Sequence, residues 1–398
     1  MAPQDTVVVA RETPTRQDML ERAEEIALRL RTRAGACEAA RMVSVETIDD
    51  YKRTGLVRMS MLARYSGFEL GWDVLCEVTQ ILAAACGSQA WIQRICADHA
   101  MMVGTFEARA QDDVWGDDHN TFVSAAFDPV GRGRKVDGGY IFSGRHGFSS
   151  GIDHSDWMIC GGFIQDGEAL EIEALDGPHF FLVPKCDAVV IDDWHVTGLA
   201  GTGSKSFEVT DAFVPDHRFL DGARARAGTG PGTAVNTAAV YRSPRGGITP
   251  TGFAALNVGM ARGILDDWYA FTRPRKSRGI PMGKDAGTQI VAARSHAEIN
   301  AAEALYLNNL RDAMARLERH EILDPLYITT ARRNVAFACQ LSLKAATRLL
   351  NSGGGRLLYD DNPIQRQYRN LLGGVAHHGV NWERAAQGFG AVVLDEDS

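Results

Sequence analysis

The chain has 398 residues, of which 45% are hydrophobic and 23% charged, a composition typical of a globular protein with two or three hydrophobic cores. Its formal net charge of −8 argues against a nucleic-acid or anionic-membrane partner, because both require a dense cationic surface. The seven cysteines include no Cys-x-x-Cys pair, and no leader-like or membrane-spanning apolar run is found, so reduced thiols and a cytoplasmic location are expected.

Helical patterns come first along the chain. Apolar residues recur on one stripe from Thr15, and this pattern predicts a helix that ends at Gly35. A second helix is predicted from Ser44 to about Gly55. Residues 73–107 are apolar on more than one face, which is typical of helices buried on several sides. Residues 1–117 are therefore predicted to form an N-terminal helical domain.

Strand patterns follow between Asn120 and Pro215, where short apolar runs are separated by glycine, aspartate and proline. The candidate strands cover residues 122–127, 139–144, 156–163, 179–184, 188–196 and 205–214. They predict a small β-barrel or sandwich within a domain of residues 118–222. The segment 222–250 is rich in Gly, Thr, Arg and Pro and predicts a linker or a long ordered loop.

Helical patterns return after Pro250 and continue to the end of the chain. Asp324 and Asn362 are each followed by proline, the usual order at a helix start. Helices near residues 252–273, 285–319, 325–352 and 362–388 predict a four-helix bundle, so residues 223–398 comprise a linker and this bundle. The fold class is mainly α with a central β domain.

Several motifs of other enzyme classes are imperfect. Residues 198–206 nearly spell a phosphate-binding P-loop, but Ser204 separates the last glycine from Lys205, and the segment lies between two candidate strands. A glycine-rich β-turn is the better interpretation. His377 and His378 would point about 100° apart on a helix, so no metal site is predicted, and the Gly-x-Ser-x-Gly elbow of hydrolases does not occur.

A few polar residues stand in otherwise apolar settings. They are His99 in the buried helical segment, Ser124 in a strand, the pair Ser149 and Ser150, and His377 in the last helix. Each alone is more often structural than catalytic, because buried polar groups are usually satisfied by neighbouring hydrogen bonds. A joint role depends on whether the fold brings them together.

Several segments resemble the flavin-dependent monooxygenases of the acyl-CoA dehydrogenase superfamily, a group that includes the oxygenase component of 4-hydroxyphenylacetate 3-hydroxylase, steroid-ring phenol hydroxylases, dibenzothiophene monooxygenase and indole oxygenases. The resemblance runs from about residue 15 to 390, and its most specific block is Ser-Ser-Gly-x-x-His-x-Asp-Trp at residues 149–157. The other matching segments are residues 56–59, 65–70, 86–91, 144–148, 201–205 and 213–215.

The resemblance implies a helical domain, a β-barrel and a C-terminal four-helix bundle that assembles into a homotetramer. It also implies hydroxylation of a small aromatic substrate, of the phenol or indole type, by O2 through a flavin C4a-hydroperoxide. The reduced flavin, FADH2 or FMNH2 with a slight preference for FAD, would come by diffusion from a separate reductase that alone uses NAD(P)H.

The resemblance also assigns roles to individual residues. His99, Ser124 and His377 correspond to catalytic positions, with His377 acting on a proton while His99 and Ser124 orient the substrate. Ser149 corresponds to the residue that meets flavin N5, with Ser150 beside it.

Three further positions qualify the resemblance. Arg275 matches a degenerate version of the segment whose arginine touches the flavin phosphates. Asn370 replaces a family aspartate, and His146 replaces a family tryptophan.

Two alternatives stay open. An acyl-CoA dehydrogenase proper requires a carboxylate base, and no Tyr-Glu-Gly-type segment precedes the last helices. The other alternative is a non-catalytic flavin-binding protein, which would bind flavin without forming an oxygenated product.

Overall fold

The computed structural model describes residues 13–166, 169–170 and 178–395. The predicted first and last domains therefore extend at their outer ends beyond the described residues. Within the described part, helices are followed by a sheet and then by helices again, in the predicted order.

Five helices precede the sheet: α1 (Arg16–Ala40), α2 (Val45–Thr54), α3 (Trp72–Ala85), α4 (Gly87–Val103) and α5 (Ala108–Trp115). The start at Thr15 is confirmed, since its side chain forms a capping box with Asp18. The predicted end at Gly35 is wrong, because α1 continues to Ala40 and ends at Arg41 with φ +54°. An interior glycine costs a helix only about 1 kcal/mol, and burial of Cys37 in the next turn offsets it.

The other two predictions for this region, the helix from Ser44 to about Gly55 and the buried helices within residues 73–107, are confirmed. Ser44 caps α2, and Gly55 ends it with φ +76°. The segment predicted to be buried on several sides forms α3 and α4, and every residue of α4 is buried. This helix lies at the centre of the molecule.

The strands are β1 (Val123–Val136), β2 (Gly139–Ser149), β3 (Trp157–Asp166), β4 (Ala169–Leu170), β5 (His179–Pro184), β6 (Ala188–Ile191), β7 (Lys205–Pro215) and β8 (Phe219–Leu220). They form one sheet in the order β6-β7-β2-β1-β3-β5-β8, with β4 paired to β3. β1 and β3 are parallel, and the other pairs are antiparallel. The candidate strand at 188–196 is too long, because β6 ends at Ile191.

The sheet curls around an apolar interior of its own. Phe142 on β2 contacts Phe181 on β5 with ring centroids 4.6 Å apart, although β1 and β3 separate these strands in the sheet order. Such a contact requires a strongly bent sheet, as in a small barrel.

His146 is buried in this interior, and neither ring nitrogen has a hydrogen-bond partner among the described residues. Its ring stacks between Phe142 and Phe207 at centroid distances of 6.0 and 5.1 Å. Burial lowers the pKa of His146 to about 4, against an ordinary value of about 6.5. The unfolded chain therefore binds more protons than the folded one between these two pH values.

We expect His146→Leu to reduce the acid sensitivity of the fold. Because the folded protein keeps His146 neutral, this residue does not reduce the free energy of unfolding above about pH 6.5. As the pH falls towards 4, His146 lowers the free energy of unfolding, by about 2 kcal/mol at pH 5. Chemical denaturation at pH 7.5 and pH 5 should therefore show a smaller loss of unfolding free energy in the variant. Equal losses in both proteins would contradict this account.

Residues 222–250 form an ordered connection, which agrees with the ordered-loop alternative. The connection contains α6 (Gly222–Ala227), α7 (Arg245–Ile248) and two short 3₁₀ turns. Val240 and Tyr241 bury their side chains, and Asn236 donates a hydrogen bond to the Gly104 carbonyl at 2.7 Å. The segment thus packs against the end of α4.

The remaining elements are α8 (Thr251–Thr272), a hairpin of β9 (Lys276–Ser277) and β10 (Ile280–Pro281), α9 (Ala286–Glu318), α10 (Pro325–Gly353), α11 (Pro363–Val375) and α12 (Trp382–Val393). The predicted caps at Asp324 and Asn362 are confirmed, because both side chains accept backbone N–H bonds. In the described part of the chain, no helix has the length and apolar character needed to cross a membrane.

The last predicted helix, 362–388, is wrong in one respect: the structure breaks it into α11 and α12. Gly374, at the break, packs so closely on α8 that a Cβ there would lie 2.3 Å from Oδ1 of Asn257. His377 then has φ −64° and ψ 133° and begins a 3₁₀ turn rather than continuing the helix. The break turns the His377 side chain towards α8.

Candidate active site

The candidate site lies along one face of α4. Trp91, Arg94, Asp98 and His99 are spaced three or four residues apart or adjacent, so their side chains lie on neighbouring parts of the helix surface. All four are at least nine-tenths buried. Side chains from the sheet and from the helices after it meet this face.

His99 lies at one end of this face, against the backbone of β1 at Val123, the residue before Ser124. Nδ1 of His99 is 2.7 Å from the Val123 carbonyl, which only accepts, so Nδ1 carries the proton and Nε2 is an acceptor. Burial lowers the pKa of His99 to about 4 despite the nearby charge of Asp98. The adjacent Ser124 hydroxyl is 3.1 Å from the Ser155 hydroxyl. This end therefore offers a neutral imidazole, and the Ser124 hydroxyl is engaged with Ser155.

Ser149 and Ser150, at the end of β2, face different surroundings. The register shifts between His146 and Ser149, and Phe148 takes φ +58°, a conformation rare for a bulky residue. The Ser149 hydroxyl is fully buried and has no hydrogen-bond partner among the described residues. Ser150 instead accepts from Nε1 of Trp91 at 3.1 Å and lies 2.7 Å from the Ser204 hydroxyl.

Ser150 is thereby engaged in holding the turn after β2 against α4. A Cβ at Gly151 (φ +72°) would lie 3.4 Å from Ile92, which shows how closely the turn approaches the helix. Of the two serines, only Ser149 keeps a free buried hydroxyl for a ligand.

His377 stacks on Phe253 of α8, with ring centroids 3.8 Å apart and an interplanar angle of 28°. Trp91 lies at 5.9 Å from the same imidazole, and Nδ1 accepts the Gly379 N–H at 3.1 Å. The proton of the neutral ring is therefore on Nε2. Burial, together with His378 and the positive charge of Arg94, lowers the pKa of His377 to about 3.

Side-chain contacts along α4 thus involve three of the predicted positions, Ser150, His377 and His99. Trp91 contacts Ser150 and His377, and Arg94 lies on Phe253 with its guanidinium carbon 4.3 Å from the ring centroid. His99 meets Phe127 edge-on at 5.7 Å. Ser149 adjoins this set through Ser150, and Ser124 adjoins it through Val123.

Arg275 is not brought to this cluster. Its guanidinium donates to the Gly353 carbonyl at 3.2 Å and lies 4.3 Å from the ring centroid of Phe271. Phe253 and Arg275 lie at opposite ends of α8, about 30 Å apart at ~1.5 Å per residue. Within one chain Arg275 therefore does not reach Ser149, and a flavin contact would require a second copy of the chain.

Sequence reasoning missed several site residues. Phe253, Phe127 and Arg245 lie in segments whose patterns are ordinary for core or loop residues. Arg94 and Asp98 carried a usable signal, because two opposite charges one turn apart in an otherwise apolar helix indicate a buried ion pair.

The structure also bears on a metal site and on the P-loop-like segment. The described residues contain no group of three or more His, Cys, Asp or Glu side chains that could hold a metal ion. The prediction that His377 and His378 point about 100° apart on a helix is nevertheless wrong, since neither residue lies in an α-helix. The P-loop-like segment forms a 3₁₀ turn, Ala200–Thr202, between β6 and β7, with Gly203 at φ +54°. The glycine-turn interpretation is thus confirmed.

The order of helices, curled sheet and helices, with a buried site along α4, defines an oxidoreductase of the acyl-CoA dehydrogenase fold. The profile described as acyl-CoA dehydrogenase, C-terminal domain, matches residues 251–382. The crystal structure of the HsaA monooxygenase from M. tuberculosis superposes with a TM-score of 0.90 at 31% identity, covering 96% of this chain and 98% of that one.

Curated relatives narrow the class. The flavin-dependent monooxygenase oxygenase subunit HsaA of Mycobacterium tuberculosis (strain CDC 1551 / Oshkosh) is 32% identical over 378 residues, 94% of each chain. The FADH(2)-dependent resorcinol hydroxylase oxygenase component of Rhizobium sp. (strain MTP-10005) is 28% identical, covering 94% of each chain. The chain belongs to the family of flavin-dependent monooxygenase oxygenase subunits, so the resemblance seen in its motifs is confirmed.

Proposed function

We propose that this monooxygenase is the oxygenase component of a two-component system and hydroxylates a small aromatic substrate of the phenol or indole type. The observation that carries the proposal is the Ser149 hydroxyl, which is fully buried without a partner among the described residues and is next in sequence to Ser150, the residue that contacts Trp91. Reduced flavin would be supplied by a separate reductase that uses NAD(P)H, and O2 would be the co-substrate.

The residues present fit a flavin. A buried hydroxyl without a partner is costly, and the N5 hydrogen of reduced flavin would satisfy the Ser149 oxygen. Trp91, which contacts Ser150, and Phe253 offer apolar surface along α4, with ring centroids 5.3 Å apart. When bound, reduced flavin would supply the two electrons with which O2 delivers one oxygen atom to the substrate ring and releases the other as water.

The two histidines suit different tasks because their protons are on different nitrogens. Nε2 of His99 accepts, so with Ser124 it can hold a phenolic hydroxyl and receive its proton as the ring is attacked. Nε2 of His377 donates, which favours control of the proton on the transferred oxygen rather than removal of a phenolic proton. Buried aromatic walls keep water from this chemistry.

The dehydrogenase alternative is disfavoured by the carboxylates at the site. Removal of an α-proton needs a free carboxylate base. Asp98, the carboxylate adjoining His99 on α4, is 1% exposed and bound by Arg94 at 3.1 Å and Arg245 at 3.5 Å. Each of its two oxygens thus faces a guanidinium group, so the carboxylate is not free to take a substrate proton. Activity on acyl-CoA with an electron acceptor and no O2 would support this alternative instead.

Two finer parts of the proposal concern the flavin and the assembly. FAD is slightly preferred over FMN, a preference supported by the FADH(2)-dependent relative. Assembly as a homotetramer is supported by α12, none of whose residues is buried, and by the strongly exposed Val393 and Leu394 at its end. A second copy packed on this surface would cover them.

Product analysis tests the proposal most directly. The protein would be incubated with a generic flavin reductase, NADH, FAD or FMN, and a panel of phenols and indoles under labelled O2. We expect a product with one labelled oxygen atom per molecule, dependent on reductase and flavin. Tight flavin binding with no oxygen-dependent product across the panel would favour the non-catalytic flavin-binding alternative.

A further inference from the structure

α4 carries an ion pair that is almost completely buried. Nη2 of Arg94 is 3.1 Å from Oδ2 of Asp98, and the two side chains are 2% and 1% exposed. The desolvation of two charges roughly cancels their attraction, so such a pair contributes little to folding compared with apolar side chains of the same size. Its place between the two histidines of the site points to a role there.

Arg94 is fixed against the start of α8. Its Nη2 donates to the Thr249 carbonyl at 2.9 Å, and its guanidinium carbon lies 4.3 Å from the centroid of Phe253. Gly252 makes this approach possible, because a Cβ there would lie 2.4 Å from Nε of Arg94. A desolvated guanidinium over an aromatic ring is strongly attracted to it, so Arg94 restrains the Phe253 ring.

Phe253 in turn supports His377. The two rings are 3.8 Å apart at 28°, a close stacked contact. His377 lies in the break between α11 and α12, at the start of a 3₁₀ turn, and among the described residues its Nδ1 accepts from Gly379, two residues further on. The orientation of Nε2 therefore depends more on the stacking contact than it would if His377 lay within an α-helix.

We propose that Arg94 is a positioning residue: paired with Asp98, it fixes the ring of Phe253 and, through that ring, the imidazole of His377. Asp98 keeps the guanidinium of Arg94 in place and also pairs with Arg245 at 3.5 Å. The consequence for catalysis rests on the proposed function, whereas the positioning of His377 does not.

The test is the double variant Arg94→Met/Asp98→Leu, which removes both members of the Arg94–Asp98 pair together; Arg245 loses its 3.5 Å contact with Asp98 in the same variant. The first readout is the rate at which diethyl pyrocarbonate modifies His377, followed by peptide mass spectrometry with fragment-ion assignment. We expect this rate to rise about fivefold, as the cation–π restraint on Phe253 is lost. The exposed His195 serves as the internal reference, and an unchanged rate at His377 would overturn the proposal.

The second readout is the amount of hydroxylated product per flavin oxidised. We expect this amount to fall about tenfold in the double variant. It should recover in the single variant Arg94→Lys, because lysine keeps a cation over Phe253. Tyr306→Phe is the matched control, because it removes a buried 2.6 Å hydrogen bond to Gln80 away from the site. If the control loses as much product per flavin at an equal loss of thermal stability, the role is merely structural. Absence of product from the wild type would refute the proposed function but leave the His377 modification rate to decide this inference.

Discussion

Replacing His377 with alanine is expected to lower hydroxylated product about a hundredfold while reduced flavin is still oxidised by O2. The size follows from the usual contribution of a positioned acid–base group. The imidazole holds its proton on Nε2, faces Trp91 and Phe253, and has a pKa of about 3, so it stays neutral throughout the working pH range. Rapid mixing of the reduced protein with O2, followed by product quantification, measures both steps.

His378→Ala is the matched control for this experiment. His378 is adjacent in sequence but exposed, and its ring centroid lies 4.4 Å from that of His377. We expect the control to retain most of its product formation. Undiminished hydroxylation in His377→Ala would exclude His377 from the reaction and transfer the proton role to His99.

Ser149→Ala is expected to convert most of the O2 consumed into free hydrogen peroxide, lowering product per flavin oxidised by about 10- to 100-fold. The variant removes a hydroxyl that is buried without a partner among the described residues and that we propose as the acceptor for the flavin N–H. Its fold should be unaffected or slightly stabilised, because an unsatisfied buried hydroxyl is lost. Peroxide and product would be measured in the same reaction.

Ser143→Ala provides the comparison on the same strand. Ser143 lies on β2 but binds Asp211 at 3.1 Å, on the part of the sheet away from α4. We expect it to behave as the wild type in coupling. Equal coupling in Ser149→Ala and the wild type would remove Ser149 from the site and leave the buried hydroxyl as a packing feature.

Local patterns were sufficient for much of the fold. The caps at Ser44, Asp324 and Asn362, and the end of α2 at Gly55, depend on backbone groups within a few residues, so the sequence alone predicts them. The order of helical and strand segments follows from hydrophobic periodicity in the same way. Family resemblance then indicated which polar residues to consider together.

Local patterns failed where a distant contact outweighed propensity. The helix through Gly35 continues because its buried stripe continues, and the last helix breaks where Gly374 packs against Asn257. Both outcomes depend on residues that are remote in the chain. The pattern of neighbouring residues in the sequence therefore cannot predict these contacts.

The sequence by itself determined the class of this protein: an α–β–α chain of the flavin-dependent monooxygenase family with histidines and serines at candidate positions. Tertiary structure decided what each of them can do. It engaged Ser150 with Trp91 and left Ser149 free, gave His99 and His377 opposite tautomers, and placed Arg275 at the far end of α8. The physical reason is that hydrogen bonding and desolvation are set by groups from other segments, which only the folded chain brings within a few ångströms.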